Sequence, residues 1–248
     1  MADINPHQDH PTTTQEPVYE SHVGTTRQYW RDIVLGVNDG LVSVFLLIVG
    51  VVGGGLESRQ VLLAAVAAAV AGAISMGAGE FLATQSQEEV LASELALERT
   101  HIKYFRDGEV DQLRGFFTNM GVTDPDMNDA VDIFSRNDEV LLGAMKALEF
   151  GIVDTERRSP YTAMYVSSGL FLLGSLTAVL PFVFIDRTSV ALTVAALATA
   201  LGLFTVGAVK TLVTRTNPIS AGLQNLVIAT IGGVLAYFIG ALVKAGIG

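Results

Sequence analysis

Five stretches of this chain stay apolar for about twenty residues at a time, the length a helix needs to cross a hydrocarbon layer. They run from Ile33 to Gly53, Val61 to Ala83, Tyr161 to Ile185, Val190 to Leu212 and Ile219 to Val243. The breaks GGLESRQ, DRTS and TRTNP are short and polar, which predicts spans joined by tight turns. One long polar segment, residues 85–158, separates the second span from the third. Its opening, QSQEEVLASELALERTHIKYF, has recurrent Leu and neither Gly nor Pro, so the second span should continue through it as one helix. DGEVDQLRGFFTNM predicts a second helix, and the turn at Thr123-Asp124-Pro125 starts a third through MNDAVDIFSRNDEVLLGAMKALE. Residues 1–28 show no apolar period and read as a disordered tail. The expected fold is an all-α integral membrane protein. Its parts are the tail, spans one and two over 29–84, a three-helix insert over 85–158, and spans three to five over 159–248.

Composition agrees with this pattern. Half the residues are hydrophobic, 16% are charged, and the mean hydropathy is +0.46, too apolar for an ordinary soluble domain. There is no cysteine, so disulfides, thiolate metal sites and cysteine nucleophiles are excluded, and any soft metal ligand must be Met or His. The formal net charge of −10 disfavours nucleic acid, which needs clustered Lys and Arg, and favours cations as partners. Most of that charge lies in the insert, with sixteen acidic residues against eight basic ones. Arg27, Arg31, Arg157, Arg158, Lys210 and Arg215 flank one side of the spans, while Arg59, Arg187 and Lys244 flank the other. The excess places the N-terminus and the insert in the cytosol. Three of the four histidines, His7, His10 and His22, fall in the tail, where metal binding would carry the full ordering cost. Nucleophilic catalysis finds no support: no histidine lies in a span, no GxSxG elbow occurs, and GVVGGG lacks the Lys-Ser/Thr ending of a phosphate loop.

Against this apolar background a few polar residues stand out. Asp32, Gly36, Asp39 and Ser43 fall at i, i+4, i+7 and i+11 and form one stripe of the first span. Met76 and Glu80, at i and i+4, share a face of the second. With the two helices antiparallel, Asp32 and Glu80 lie near the cytosolic mouth, Asp39 about 10 Å deeper and Met76 about 6 Å deeper. If these faces meet, the four side chains form a ladder toward the midplane, and Gly36, Gly40, Gly72, Gly77 and Gly79 would let the two backbones approach. Ionisable groups in a span default to functional sites. Carboxylates suit hard cations and a thioether adds preference for softer first-row metals, a mixture that fits iron(II).

The stretches DIVLGVNDGLVSVF and AGAISMGAGEFLA together closely resemble the paired signatures of the vacuolar iron transporter family, and the resemblance extends from about Tyr29 to the C-terminus. It implies a homodimer that exchanges cytosolic iron(II), and often manganese(II), for protons; cobalt(II) is a further candidate ion, and no prosthetic group is implied. Asp39 and Met76 would line the transport site, with Asp32 and Glu80 toward its entrance and the first spans of two subunits around one pathway. In the insert, the resemblance assigns metal-binding positions to Glu98, Glu109, Glu149 and Met145, with His101 and Gln112 standing where glutamate is usual. Spacing adds that Glu98 and His101, Glu109 and Gln112, and Met145 and Glu149 each share a helix face. The family's membrane is vacuolar in plants and fungi and the plasma membrane in a prokaryote. Gly36 with Gly40, and Gly232, Ala236 and Gly240, are small-residue stripes suited to close helix packing.

Two rivals stand beside the transporter. Glu-x-x-His also marks membrane-anchored, ferritin-like di-iron oxidases, but that site needs two such motifs plus two more helical glutamates, and only Glu98 and His101 fit. A metal-binding or structural membrane protein without transport would leave Asp39 unexplained. The expectation is a transporter, not an enzyme.

Overall fold

The computed structural model describes residues 27–151, 159–214 and 216–247. The tail with His7, His10 and His22, and three of the cations used for orientation, Arg157, Arg158 and Arg215, lie outside the described residues. Eight helices and no strands occur among those described: α1 (Arg27–Gly53), α2 (Ser58–Tyr104), α3 (Arg106–Asn119), α4 (Asp126–Phe134), α5 (Asp138–Leu148), α6 (Pro160–Phe184), α7 (Thr188–Thr214) and α8 (Pro218–Ile247). By length and composition α1, α2, α6, α7 and α8 can each cross a membrane. The chain is an all-α, multi-pass membrane protein.

Local chemistry sets the boundaries. Gly55 takes φ +88° in the turn after α1, a conformation that L side chains rarely adopt. Glu57 and Gln60 then form a reciprocal capping box at the start of α2, with the Glu57 amide donating to Gln60 Oε1 at 3.0 Å. Asn217 Oδ1 accepts from the amides of Ile219 and Ser220 at 2.9 and 3.3 Å, and Pro218 begins α8. With 47 residues, α2 is about 70 Å long, more than twice what a span needs, so its second half projects beyond the apolar layer as expected.

The insert differs from expectation in one respect. Its third predicted helix is two, α4 and α5, because Asn137 adopts extended backbone angles and its side chain accepts from the Val140 amide at 3.0 Å. An N-cap in mid-sequence restarts the helix in a new direction. With the end of α2, α3, α4 and α5 enclose a core of Leu95, Ile102, Leu113, Phe117, Leu141 and Met145. For a part bathed in water, burial of such side chains contributes about 1.5 to 3 kcal/mol each. Arg106 ties the ends together: its guanidinium pairs with Asp138 and donates to the Ser135 carbonyl at 2.6 Å.

Between the spans, lipid removes that hydrophobic driving force and close packing takes over. Helix α6 packs against both α1 and α2 more extensively than those two pack on each other. A Cβ on Gly40 would land on the Phe171 carbonyl, and one on Gly174 on the Val37 carbonyl, so α1 and α6 meet backbone to backbone. The glycines expected to join α1 to α2 therefore do something else. Gly36, Gly40, Gly72 and Gly77 receive Leu170, Phe171 and Ser168 of α6, and Gly79 has nothing within 4 Å. The stripe of Gly232, Ala236 and Gly240 on α8 packs against Leu46 and Gly50 of α1 in the same chain. Helix α1 is thus central, whereas only 11% of the apolar window of α8 is buried.

These contacts distinguish two glycines sharply. Gly40→Leu should displace α6 and cost more than the usual 1 to 3 kcal/mol of overpacking, because backbone cannot yield as a side chain can. Gly79→Ala should be neutral or stabilising by up to about 1 kcal/mol through helix propensity. Thermal melts and size-exclusion profiles in detergent check both, and equal behaviour of the two variants would contradict the packing described.

Candidate metal sites

The first site lies in the membrane. Asp39, Ser43, Ala68, Gly72, Ser75 and Met76 line a cleft of about 270 Å³ between α1 and α2, with the Phe171 ring of α6 as its floor. Helices α1, α2 and α6 meet around this space, and the Asp39 and Met76 faces open into it. Asp39 and Met76 are both half-buried, and Ser43 Oγ donates to Asp39 Oδ1 at 2.6 Å. The cleft thus offers a carboxylate, a thioether and two hydroxyls, a donor set suited to a divalent first-row metal. Of the four residues in the expected ladder, Asp39 and Met76 come together. Asp32 and Glu80 are outside the cleft lining. Asp32 is buried beside Arg31, whose Nη2 lies 3.5 Å from its Oδ1, and Glu80 is half-buried one turn beyond Met76. Ser75 was missed by sequence reasoning; its only signal was a small polar residue beside Met76.

The second site lies in the insert, where one sharp turn brings two helices together. Phe105 ends α2, its amide donating to the His101 carbonyl at 2.7 Å, and α3 begins at the next residue. Glu98 and His101 in the last turns of α2 therefore face Glu109 in the first turn of α3. His101 Nδ1 is 3.2 Å from Glu109 Oε1 and 4.0 Å from Glu98 Oε2. One ligand atom from each of the three residues lies within 4.8 Å of the others. Glu98 and Glu109 are only 4% and 6% exposed, yet Glu98 Oε1 and Glu109 Oε2 have no hydrogen-bond partner among the described residues. Buried carboxylate oxygens without partners are costly, and a bound cation relieves that cost.

Electrostatics agree. Burial raises the Glu98 carboxyl from 4.5 to about 7, reinforced by the charges of Glu109 and Glu149 and by a hydrogen bond with Glu109. Two carboxylates and an imidazole suit iron(II), manganese(II), cobalt(II) or zinc(II). The remaining expected ligands are placed differently. Glu149 is exposed at the end of α5, near enough for its charge to act on Glu98. Gln112 is exposed one turn beyond Glu109, and Met145 is fully buried in the insert's apolar core.

Five helices able to cross a membrane, a carboxylate and a thioether lining one cleft between them, and relatives that are named transporters place the chain in the class of membrane transporters rather than enzymes. More particularly, the chain belongs to the VIT family, whose sequence pattern matches residues 30–241. It is 30% identical over 241 residues to "Vacuolar iron transporter 1" of Tulipa gesneriana, covering 96% of each chain. It is 27% identical over 220 residues to the protein of that name from Arabidopsis thaliana, covering 89% of this chain and 88% of the relative. To "Vacuolar iron transporter" of Plasmodium berghei it is 25% identical over 239 residues, covering 93% and 88%.

The raised Glu98 value has a defined sign. Between pH 4.5 and about 7 the unfolded chain has lost the proton that the folded chain keeps. The metal-free insert is therefore most stable below that window and loses stability as pH rises through it. Metal binding requires the deprotonated form, so added manganese(II) should stabilise strongly above about pH 7 and little near pH 5. Thermal melts with and without metal across this range check the prediction, and Glu98→Gln should flatten both curves.

Proposed function

We propose that this protein carries iron(II), with manganese(II) as a second cargo, out of the cytosol in exchange for protons. The observation that carries the reading is the shared cleft of Asp39 and Met76. The names of the relatives, vacuolar iron transporters, supply the cargo. In this reading a cation and a proton compete for the Asp39 carboxylate. Metal entering from the cytosol displaces the proton, and release on the far side lets the proton return. The empty, deprotonated carrier reorients slowly because an unpaired charge in the spans is costly. That asymmetry makes exchange, rather than leak, the productive cycle. Met76 tilts the choice toward softer cations and away from calcium(II).

The other parts take supporting roles. The N-terminus and residues 85–158 lie in the cytosol, where Glu98, His101 and Glu109 collect metal, assisted by Glu149, before it reaches Asp32 and Glu80 at the mouth. The protein acts as a homodimer. Two facts support this: Ser43, on the Asp39 face of α1, is exposed in a single chain, and α8 is largely uncovered. A second subunit would close the first face around one pathway. The membrane is vacuolar in a plant or fungus and the plasma membrane in a prokaryote. The di-iron oxidase reading is not favoured, since among the described residues one cluster holds three or more such ligands and it carries a single Glu-x-x-His.

Asp39→Asn keeps the shape of the side chain and removes both its charge and its exchangeable proton. Iron(II) flux into proteoliposomes should fall by at least about tenfold while folding is unchanged. Normal flux in that variant would overturn the assignment. Met76→Leu should leave folding intact and reduce the preference for iron(II) over calcium(II); parallel responses to both ions would remove the thioether from the ligand set.

A further inference from the structure

Three consecutive residues of α1 point in three directions, because successive side chains on a helix are about 100° apart. Gly40 is pressed against the α6 backbone at Phe171. Asp39 faces the cleft. Asn38, on the remaining side, reaches α8, where Asn225 Nδ2 donates to Asn38 Oδ1 at 3.4 Å and to the Leu203 carbonyl of α7 at 3.2 Å. One amide thus joins α1, α7 and α8.

The surroundings give this contact its weight. Beside it, Phe45 and Val49 of α1 face Leu203 of α7 and Leu226 of α8 across an almost wholly apolar cavity of about 510 Å³. On either side of that cavity α1 is packed on its neighbours, through the buried cluster of Leu41, Leu203 and Ala229 and through Gly50 against Ala236 and Gly240, so the amide contact lies inside an existing three-helix seam. Within that seam the polar tether adds a directional contact that fixes the rotation of α1 about its own axis. In lipid, an amide that loses its partner finds no water to replace it, so the contact has a direction as well as a strength.

We propose that Asn225 is a positioning residue for the intramembrane cation site. With Gly40 backed on α6 and Asn38 tethered to α8, Asp39 and Ser43 are held toward the cleft. Asn225 itself touches neither cargo nor proton. The proposal rests on the reading of Asp39 as the cargo-binding carboxylate, and its test has a readout that does not depend on transport.

The chain contains no cysteine, so Ser43→Cys introduces a single thiol one turn from Asp39. Its rate of modification by a water-soluble methanethiosulfonate, in the full chain in liposomes, reports how far this face of α1 opens into the cleft. The informative background is the double variant Asn38→Leu with Asn225→Leu, which removes both amides and leaves neither orphaned. In that background the thiol should react severalfold more slowly than in an otherwise unaltered chain with the same melting temperature. In parallel, with Ser43 retained, metal flux at saturation should fall about tenfold with an unchanged half-saturation concentration. Asn225→Gln, which keeps the donor on a longer arm, should recover most of the flux. Unchanged labelling and flux in the double variant would overturn the proposal, the two amides then merely satisfying each other. Slowed labelling in a chain whose flux is indifferent to Asp39→Asn would instead overturn the transport reading, and with it the assignment of Asn225 to a cation site.

Discussion

An ionised carboxylate in an apolar span is costly, by about 2.5 to 3.5 kcal/mol at the helix centre on the insertion scale, and Asp39 lies within the apolar span of α1. Its surroundings bear on that cost. Helix α6 packs on both α1 and α2, and its Phe171 lines the cleft that stays open beside their contact. Ser43 donates to the carboxylate from one turn away. Neither feature removes the cost altogether, and in the proposed cycle a divalent cation or a proton completes the neutralisation, the two in competition.

The insert answers the same problem in water with different forces. Its helices are held by an apolar core, and this core buries Glu98 and Glu109 with one oxygen of each unsatisfied. Burial raises the proton affinity of Glu98, so a metal bound to this cluster would have to displace a proton. Helix α2 joins the two environments without a break, carrying Met76 at one site and Glu98 and His101 at the other. Residues about 33 Å apart along one rigid helix are thereby kept in fixed relation.

The five spans were legible because lipid imposes a simple rule on length and polarity, and the Asp39 and Met76 faces because helical period places them by arithmetic. The pairing of Glu98 with His101 was equally local. The break at Asn137 was harder: Asn occurs in helices and loops alike, and only its neighbours decide whether its side chain caps. The glycines were misassigned as a contact between α1 and α2 because a stripe of small residues says that something approaches closely but not which helix does; Phe171 and Gly174 of α6 supply the answer only in three dimensions. Asn38 and Asn225 were invisible for the same reason, being 187 positions apart in sequence. Met145 and Gln112 entered through resemblance, and the fold places one in the core and the other at the surface.

The central claim is that one intramembrane carboxylate takes metal and proton in turn. It is tested most directly in proteoliposomes holding a trapped pH indicator, with the membrane potential clamped and iron(II) added on the side of the insert. Metal entry should be accompanied by proton exit, and an acidic interior should accelerate it. Metal entry without proton movement, at a rate indifferent to the imposed pH gradient, would contradict exchange and make the protein a facilitator.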